Sequence, residues 1–373
     1  MVNEFNEKTA DTNNSIKCKD CGANLTFQPG TINLTCEYCG AKNEIQVVKS
    51  VIEEIDFRKF LSENQGDQSK QEIATVKCEN CGASTTLRPN VTSDNCPYCG
   101  AALVIKNSTT STIIKPKYIL PFKVERKAAT DDFIKWVSGL WFAPNDLKMY
   151  AQNSADKLKG VYLPYWTYDS NTDSDYEGAR GTHYYVTVSY STTVNGKSVT
   201  RTRQERRTSW TSVSGHVNNN FDDILVCASN SLPREFVKEL EPWDLPALID
   251  YNDQFLSGFV TESYQLNVEE GFSEAKSIMS TAIHHSVVRD IGGDEQKVYH
   301  INTNYRKITF KHILLPLWIS AYRYHDKTYR FIINARTGEV NGERPYSAIK
   351  ITLFVLSILG AIGGLIYLFA QQS

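Results

Sequence analysis

The chain has 373 residues, of which 41% are apolar and 22% are charged, and this length allows two or three globular domains. Its net charge of −2 excludes the overall electrostatic pull toward nucleic acid that a strongly basic protein has. Tyrosine is frequent, with 20 residues, which favours β-rich structure in the body of the chain.

The N-terminal part contains a repeated cysteine module. Residues 17–45 and 77–105 share 13 of 29 aligned positions, so duplication of one small unit is the simplest account. Both copies follow the pattern Cys-x2-Cys-x14-Cys-x2-Cys-Gly. The cysteines are Cys18, Cys21, Cys36 and Cys39 in the first copy and Cys78, Cys81, Cys96 and Cys99 in the second.

This spacing predicts two zinc ribbons. Two residues between cysteines let both sulfurs of a pair reach one tetrahedral metal, and four thiolates leave no open position on it. The sequence therefore predicts two structural Zn²⁺ ions, one per module. A glycine follows each pair, where a positive φ can turn backbone N–H groups toward the sulfurs; these are Gly22, Gly40, Gly82 and Gly100. Iron with four sulfurs, an iron–sulfur cluster and disulfides are the alternatives.

The pattern along the chain predicts six regions with an α+β fold class. They are a disordered tail at 1–16, a first zinc ribbon at 17–48, a helix and linker at 49–76, a second ribbon at 77–107, an α+β domain at 115–346 and a transmembrane helix at 351–370. Within the third region we expect an amphipathic helix at 51–61 and a polar linker at 62–70. This linker is expected to uncouple the ribbons from the body.

The body at 115–346 is predicted to have a mostly antiparallel sheet. Asn195-Gly196 is a strong signal for a hairpin turn between strands. The expected strands lie at 118–124, 161–168, 184–190, 198–203, 305–310, 313–324 and 328–334. The expected helices lie at 131–140, with Thr130 as its N-cap, at 145–158, at 231–240 and, as the longest of the body, at 269–290.

A basic cluster follows this predicted turn, and it consists of Arg201, Arg203, Arg206 and Arg207. It would suit contact with anionic lipid or nucleic acid, or it is a solvated hairpin arm, which we favour. The chain has no phosphate-binding loop, no serine-nucleophile elbow and no helical His-Glu-x-x-His zinc motif, so we predict that it is not an enzyme.

The C-terminal run at 351–370 carries no charge and would span roughly 30 Å as a helix, the thickness of a hydrocarbon core. A buried core helix is the alternative. Arg344 and Lys350 precede it, so the positive-inside rule predicts a single-pass protein of the cytoplasmic membrane with its body in the cytoplasm. The N-terminus lacks signal-peptide features, which agrees with reduced cysteines. Gly360 and Gly364 would allow close packing of two spans as a homodimer.

The chain resembles a family of bacterial tail-anchored tandem zinc-ribbon proteins. The resemblance covers nearly the whole length and rests on the ribbons, the terminal span and the segments LPFKV (120–124), GLWFAPNDL (139–147), GVYLPYWTYD (160–169), LEPWDL (240–245), RDIGGDEQ (289–296), FKHILLPLW (310–318) and TGEVNGERPYS (337–347). Such proteins are named as transcription-factor-IIB-type zinc-ribbon proteins or as primosomal protein N-prime, a helicase. The helicase activity is not expected, because the phosphate loop is missing.

The resemblance implies an association with envelope stress, with flotillin-like or phage-shock-type proteins as partners. Neither ribbon shows the dense basic stripe of a surface that follows phosphates. We therefore predict a membrane-anchored cytoplasmic adaptor whose ribbons, together with the 51–61 helix, dock protein partners. The alternative is a membrane-tethered nucleic-acid-binding protein that acts in replication or transcription.

Overall fold

The computed structural model describes residues 16–48, 50–63, 70–86, 93–99, 101–104, 108–155, 157–194, 197–325 and 327–371. It confirms an α+β fold with mostly antiparallel sheets. Except for Ile16, the predicted disordered tail at 1–16 lies outside the described residues, as does most of the predicted linker at 62–70.

The two cysteine modules form small sheets. In the first, β1 (Leu25–Phe27), β2 (Asn33–Cys36) and β3 (Lys42–Glu44) make an antiparallel sheet in chain order. In the second, β6 (Ser84–Thr86) pairs with β5 (Lys70–Lys77), which also pairs with β9 (Ser108–Ile114), while β7 (Ser93–Asn95) pairs with β8 (Ala102–Val104). Between the modules lie a short strand β4 (Ile55–Asp56) and the helix α1 (Phe57–Ser62).

The body combines four α-helices with three very long strands among the described residues. Its helices are α2 (Arg126–Ser138), α3 (Leu147–Ala155), α4 (Arg234–Lys238) and α5 (Val268–Ile291), and α6 (Ala348–Gln371) follows at the C-terminus. Its strands are β10 (Tyr118–Ile119), β11 (Lys159–Val194), β12 (Lys197–Cys227), β13 (Ile249–Asp250), β14 (Val260–Thr261), β15 (Glu295–Tyr324), β16 (Lys327–Asn334) and β17 (Val340–Gly342).

The central sheet has the strand order β12-β11-β15-β10-β13, with β16 and β4 also paired to β15. β11 has 36 residues, β12 has 31 and β15 has 30, well beyond the usual strand length of about 5 or 6. The β11–β15 pairing begins at Lys159 opposite Ile319 and ends at Gly181 opposite Glu295. Within the described residues, the parallel pairs of this sheet are β10 with β15 and β11 with β14.

Beyond Gly181 the strands β11 and β12 continue as a two-stranded ribbon, which we call the hairpin arm (residues 182–194 and 197–208). The two strands stay paired up to Val194 opposite Lys197, and the turn residues Asn195 and Gly196 lie outside the described residues. No third strand of the described chain pairs with this part. At about 3.3 Å per residue, the arm extends roughly 40 Å from the body.

Helix α5 covers one face of the central sheet. Its buried positions repeat at helical spacing and include Phe272, Ala275, Met279 and Ile283, which share a core with Trp166 and its neighbours on the sheet. Asn267 and Glu270 form a capping box at its start, and Gly292 with φ 62° ends it. The sequence predicted this helix within one residue at each end.

Several local predictions differ from the structure. The strands expected at 305–310 and 313–324 are parts of one strand, β15, and the helix expected at 231–240 is restricted to Arg234–Lys238. The helix expected at 51–61 is restricted to Phe57–Ser62, because Ile55 and Asp56 pair with β15 instead. The strand expected at 118–124 ends at Ile119. Helix α2 begins at Arg126, so Thr130 is not its N-cap; residues 126–130 include two alanines, which are strong helix formers.

The ribbons share hydrophobic cores with the body, contrary to the expected uncoupling. Phe27 of the first ribbon packs against Phe255, with ring centroids 5.0 Å apart, and its N–H donates to the carbonyl of Ser257. The cysteines Cys78 and Cys96 of the second ribbon belong to the same cluster as Tyr118 in the central sheet. Burying these faces gives each small module apolar contacts that it cannot supply alone.

Candidate metal centres

The first cysteine group is assembled by two tight backbone turns. In each turn the glycine N–H donates to the first cysteine's carbonyl, from Gly22 to Cys18 at 2.9 Å and from Gly40 to Cys36 at 3.0 Å. Both glycines have a positive φ, 72° and 73°, which a residue with a side chain rarely adopts. The turns bring the four sulfurs of this module within 4.8 Å of one another.

The second cysteine group repeats this geometry. Gly82 has φ 76° and donates to the carbonyl of Cys78 at 2.8 Å, while Gly100 lies outside the described residues. The Sγ atoms of Cys78 and Cys99 are 3.7 Å apart, and those of Cys81 and Cys96 are 3.5 Å apart. The corresponding distances in the first group are 3.6 and 3.5 Å.

These distances fit a tetrahedral zinc ion. Four sulfurs at about 2.3 Å from one metal lie about 3.8 Å from each other, close to the separations in both groups. All eight predicted cysteines fall into the two groups, which could hold two zinc ions, and the ninth, Cys227, lies outside them. A set of four sulfurs excludes a water or substrate position on the metal, so such ions would be structural.

Metal binding at these positions would be coupled to loss of the thiol protons. The backbone N–H groups of Cys39 and Tyr38 donate to the Cys36 sulfur and lower the pKa of its thiol to about 7. Burial raises the pKa of Cys81 to about 11 and that of Cys96 higher still. A divalent cation stabilises all four thiolates at once, so metal binding would release protons and depend on pH.

Equivalent tyrosines of the two ribbons differ in their exposure to solvent. Tyr38 and Tyr98 occupy equivalent positions of the repeat, just before the last cysteine. Tyr38 is 87% exposed, whereas Tyr98 is completely buried and donates its hydroxyl to Glu262 at 2.5 Å. Ser231 also donates to Glu262, and Gln265 donates from its amide at 3.1 Å. The second ribbon is therefore tied to the body by a buried carboxylate that sequence inspection did not identify.

This carboxylate makes stability depend on pH. Burial raises the pKa of Glu262 to about 7, above roughly 4.3 in an unfolded chain. Between these values the folded state holds a proton that the unfolded state lacks, so the free energy of unfolding falls as pH rises. We expect Glu262→Gln to reduce this slope between pH 5 and 7 by up to about 1.4 kcal/mol per pH unit.

Urea unfolding in detergent micelles, followed by tryptophan fluorescence at several pH values, measures this slope. Glu239→Gln, at an exposed glutamate, is the control and should leave the slope unchanged. An identical pH dependence in the Glu262→Gln variant and the wild type would contradict the assignment.

An ion-pair cluster around the buried Lys311 lies where β4 joins the central sheet. The Lys311 ammonium is 3.1 Å from Glu54 Oε1 and 2.6 Å from Asp223 Oδ1, and the residue is only 3% exposed. Thr309 donates to Glu54, and the N–H of Asp223 donates to Asp169. Burial and the neighbouring Glu54 raise the pKa of Asp169 to about 7.

Carboxylate oxygens of Glu54, Asp169 and Asp222 lie within 4.8 Å of one another, as they would around a metal ion. The Lys311 ammonium already provides the positive charge there, so this cluster is best explained as an internal ion-pair network. The sequence contains a signal for this ion-pair network, because a lysine within the apolar strand FKHILLPLW needs a partner of opposite charge.

Helix α6 is the one helix among the described residues that is long and apolar enough to cross a membrane. Its 22-residue apolar stretch from Ala348 to Phe369 has none of its residues buried in the protein. These properties are consistent with a single-pass membrane protein. Gly360 and Gly364 face open space, so the predicted packing of two spans stays a prediction.

Comparison with known proteins gives one full-length relative. The chain is similar to the uncharacterized protein YdjG of Bacillus subtilis (strain 168), with 26% identity over 353 residues, which cover 93% of this chain and 94% of that protein. No protein-family model matches the chain. No solved structure matches it significantly. The aligned length covers nearly the whole of both chains.

Proposed function

We propose that this protein is a membrane-anchored zinc-ribbon adaptor with its body in the cytoplasm, and not an enzyme. The observation that supports this most directly is the hairpin arm, a long extension with exposed side chains and unpaired strand edges. Closed four-sulfur centres would stabilise the ribbons, and α6 would hold the body at the membrane. The arm is then the part that remains free to bind a partner.

In this proposal the partner docks on the hairpin arm, whereas the sequence predicted docking on the ribbons and the helix at 51–61. The ribbons and α1 use large parts of their surfaces against their own body, through Phe27, Tyr98 and the buried Phe57. The exposed parts of the first ribbon, including Tyr38, remain a secondary contact surface. The hairpin arm has no comparable burial, since most of its described residues are exposed on both faces.

One face of the arm combines tyrosine and arginine. Residues directly opposite in an antiparallel pair share a face, and Tyr184 lies opposite Arg207 while Tyr190 lies opposite Arg201. The Arg203 guanidinium lies 5.6 Å from the centre of the Tyr190 ring. Together with tryptophan, tyrosine and arginine are the residues that are enriched at the energetic centres of protein interfaces.

The charge of the hairpin arm indicates which kind of partner it would bind. The arm contains five lysine and arginine residues and one glutamate, while the whole chain has a net charge of −2. The positive charge is therefore concentrated in an extension of an otherwise acidic protein. This distribution favours a protein partner with an acidic surface, to which the arm can bind by side-chain contacts or by adding a strand at its free edge.

A site-specific crosslink in membranes tests the adaptor function. A photoreactive phenylalanine replaces Tyr190 on the arm, and in a matched control it replaces Tyr299, which is 65% exposed on β15. We expect one protein to crosslink at Tyr190 and not at Tyr299. Adding Arg203→Glu should abolish this crosslink, because it reverses a charge on the docking face. Equal crosslinking at both positions would contradict docking through the arm.

Nucleic-acid binding is the second candidate, and the same arm favours it. A two-stranded β-ribbon fits the major groove of DNA, and the arginines Arg201, Arg203 and Arg207 lie along one face. The full chain in nanodiscs should be titrated with single-stranded and double-stranded DNA and RNA at increasing salt. Micromolar affinity at physiological salt that falls steeply with salt and is lost on Arg203→Glu would replace the adaptor proposal.

A further inference from the structure

We propose that the loop between α2 and α3 (residues 139–146, called the membrane loop) lies in the headgroup region of the bilayer, with Trp141 as its lipid contact. This inference rests on the proposed membrane anchoring through α6. It goes further by assigning a lipid-binding surface to the body itself.

The membrane loop exposes aromatic surface. Trp141 is 69% exposed, although most large aromatic residues of the body are buried or partly buried. Other apolar side chains nearby in the fold are exposed as well, with Met149 at 56%, Tyr346 at 59% and Ile349 at 73%. Single exposed apolar residues are ordinary, but a group of them next to an apolar helix indicates a common apolar environment.

The membrane loop is attached to the first turns of α6. The rings of Trp141 and Phe142 both pack edge-on against Phe354, with centroids 5.6 and 5.3 Å away. The Lys350 ammonium donates to the carbonyl of Ala143 at 2.7 Å, and the Ser347 N–H donates to the carbonyl of Phe142 at 2.8 Å. These contacts fix the depth of Trp141 relative to the helix.

That depth matches the interfacial layer of a bilayer. Phe354 lies four residues after Lys350, or about 6 Å further along a helix axis. The headgroup layer on each side of the hydrocarbon core is about 5 to 7 Å thick. With the Lys350 ammonium among the headgroups, Trp141 lies at the boundary with the acyl chains, where tryptophan is enriched in membrane proteins.

The surrounding charges suit anionic lipid. Lys148 and Arg344 are exposed, and Lys350 lies beside the same loop. The Arg344 guanidinium also lies 5.4 Å from the centre of the Tyr346 ring. Cations just outside an apolar span are attracted to the negative surface of a cytoplasmic leaflet. The bilayer therefore contacts the body through both apolar and cationic groups.

Tryptophan quenching in vesicles of mixed zwitterionic and anionic phospholipid tests the proposal with the full chain. The protein has six tryptophans, so the contribution of one is the difference between wild type and a Phe variant. Trp141→Phe is compared with Trp210→Phe, because Trp210 is also exposed, at 37%, but lies at the base of the hairpin arm. An alkaline wash of the vesicles shows separately whether the chain is inserted.

We expect the Trp141 contribution to be quenched at least about twofold more by lipids brominated near the carbonyl end of the acyl chain than by lipids brominated near its middle. The Trp210 contribution should respond to aqueous iodide and not to brominated lipid. If the chain resists the wash and Trp141 responds to iodide as Trp210 does, the loop proposal is wrong and the anchor stands. A chain that the wash removes contradicts the anchoring and the loop proposal together.

Discussion

Replacing Cys96 by Ala is expected to destabilise the body as well as the second ribbon. Loss of one thiolate should release the metal of this module, and structural zinc contributes on the order of 10 kcal/mol or more to the folding of such small units. Cys96 shares a buried cluster with Tyr118 and Leu120 of the body. A disordered ribbon would also withdraw Tyr98 from Glu262 and leave a buried carboxylate without its donor.

Metal analysis and thermal unfolding in detergent measure both effects. We expect two zinc ions per wild-type chain, about one in the Cys96→Ala variant, and a lower unfolding temperature for the tryptophan signal of the body. Cys227→Ala is the matched control, because this cysteine lies outside both groups and should keep two zinc ions. An unchanged melting of the body after loss of the metal would show that the ribbon folds independently. Iron in place of zinc would show that the metal assignment is wrong.

Replacing Lys311 by Met should cost about 1.5 to 3 kcal/mol of folding free energy, because it removes the charged hydrogen-bond donor of carboxylates that are only about 30% exposed. Glu54 and Asp223 both contact this ammonium, and Asp169 lies within the same cluster. Methionine fills a similar volume, so the loss would be electrostatic and not due to a cavity. Because protonation neutralises the carboxylates, the destabilisation should shrink below about pH 4.

Lys117→Met provides a matched comparison. Lys117 binds Glu53, the neighbour of Glu54 in sequence, at 3.0 Å, and the side chains of this pair are 36% and 76% exposed, compared with 4% for Lys311. An exposed pair contributes about 0 to 1 kcal/mol, so this variant should unfold close to wild type in urea. If both variants lost the same folding free energy, burial would not determine the strength of the interactions around Lys311.

The parts that local sequence determines were predicted well. The cysteine spacing specifies two four-sulfur groups because each pair and its glycine form one short turn, which needs no distant residue. Helix α5 was predicted because its apolar positions repeat at helical spacing and Gly292 can adopt the positive φ that ends it. The candidate membrane span was equally local, since a long uncharged run is sufficient.

The long strands could not be predicted, because their polar residues are satisfied by distant parts of the chain. The sequence indicated separate strands at 305–310 and 313–324, divided by Lys311 and His312. Both residues are buried within one continuous strand, where Lys311 pairs with Glu54 and the imidazole of His312 hydrogen-bonds to the carbonyl of Ile114. Glu54 and Ile114 precede them by 257 and 198 residues, beyond the range of any local pattern.

The two cysteine modules show that contacts of the candidate site also depend on distant parts of the chain. Tyr38 and Tyr98 have the same place in two nearly equivalent modules, yet one is exposed and the other is buried. The difference comes from Glu262, which accepts a hydrogen bond from Tyr98 of the second module and is itself held by a hydrogen bond from Ser231. Module sequence alone therefore identifies the cysteines, whereas the way each ribbon docks depends on the body.

The pairing of β4 with β15 has a consequence for how the protein is made. Residues 55–56 can pair only after residues 309–310 have been synthesised, so the central sheet can close only late in translation. At about 5 to 20 residues per second, the interval between β8, ending at Val104, and β16, ending at Asn334, is roughly 10 to 50 s. During this time the nascent ribbons have accessible thiols and can acquire metal. Helix α6 follows the ribbons in the chain and is synthesised after them, so metal loading can precede insertion of α6 into a membrane.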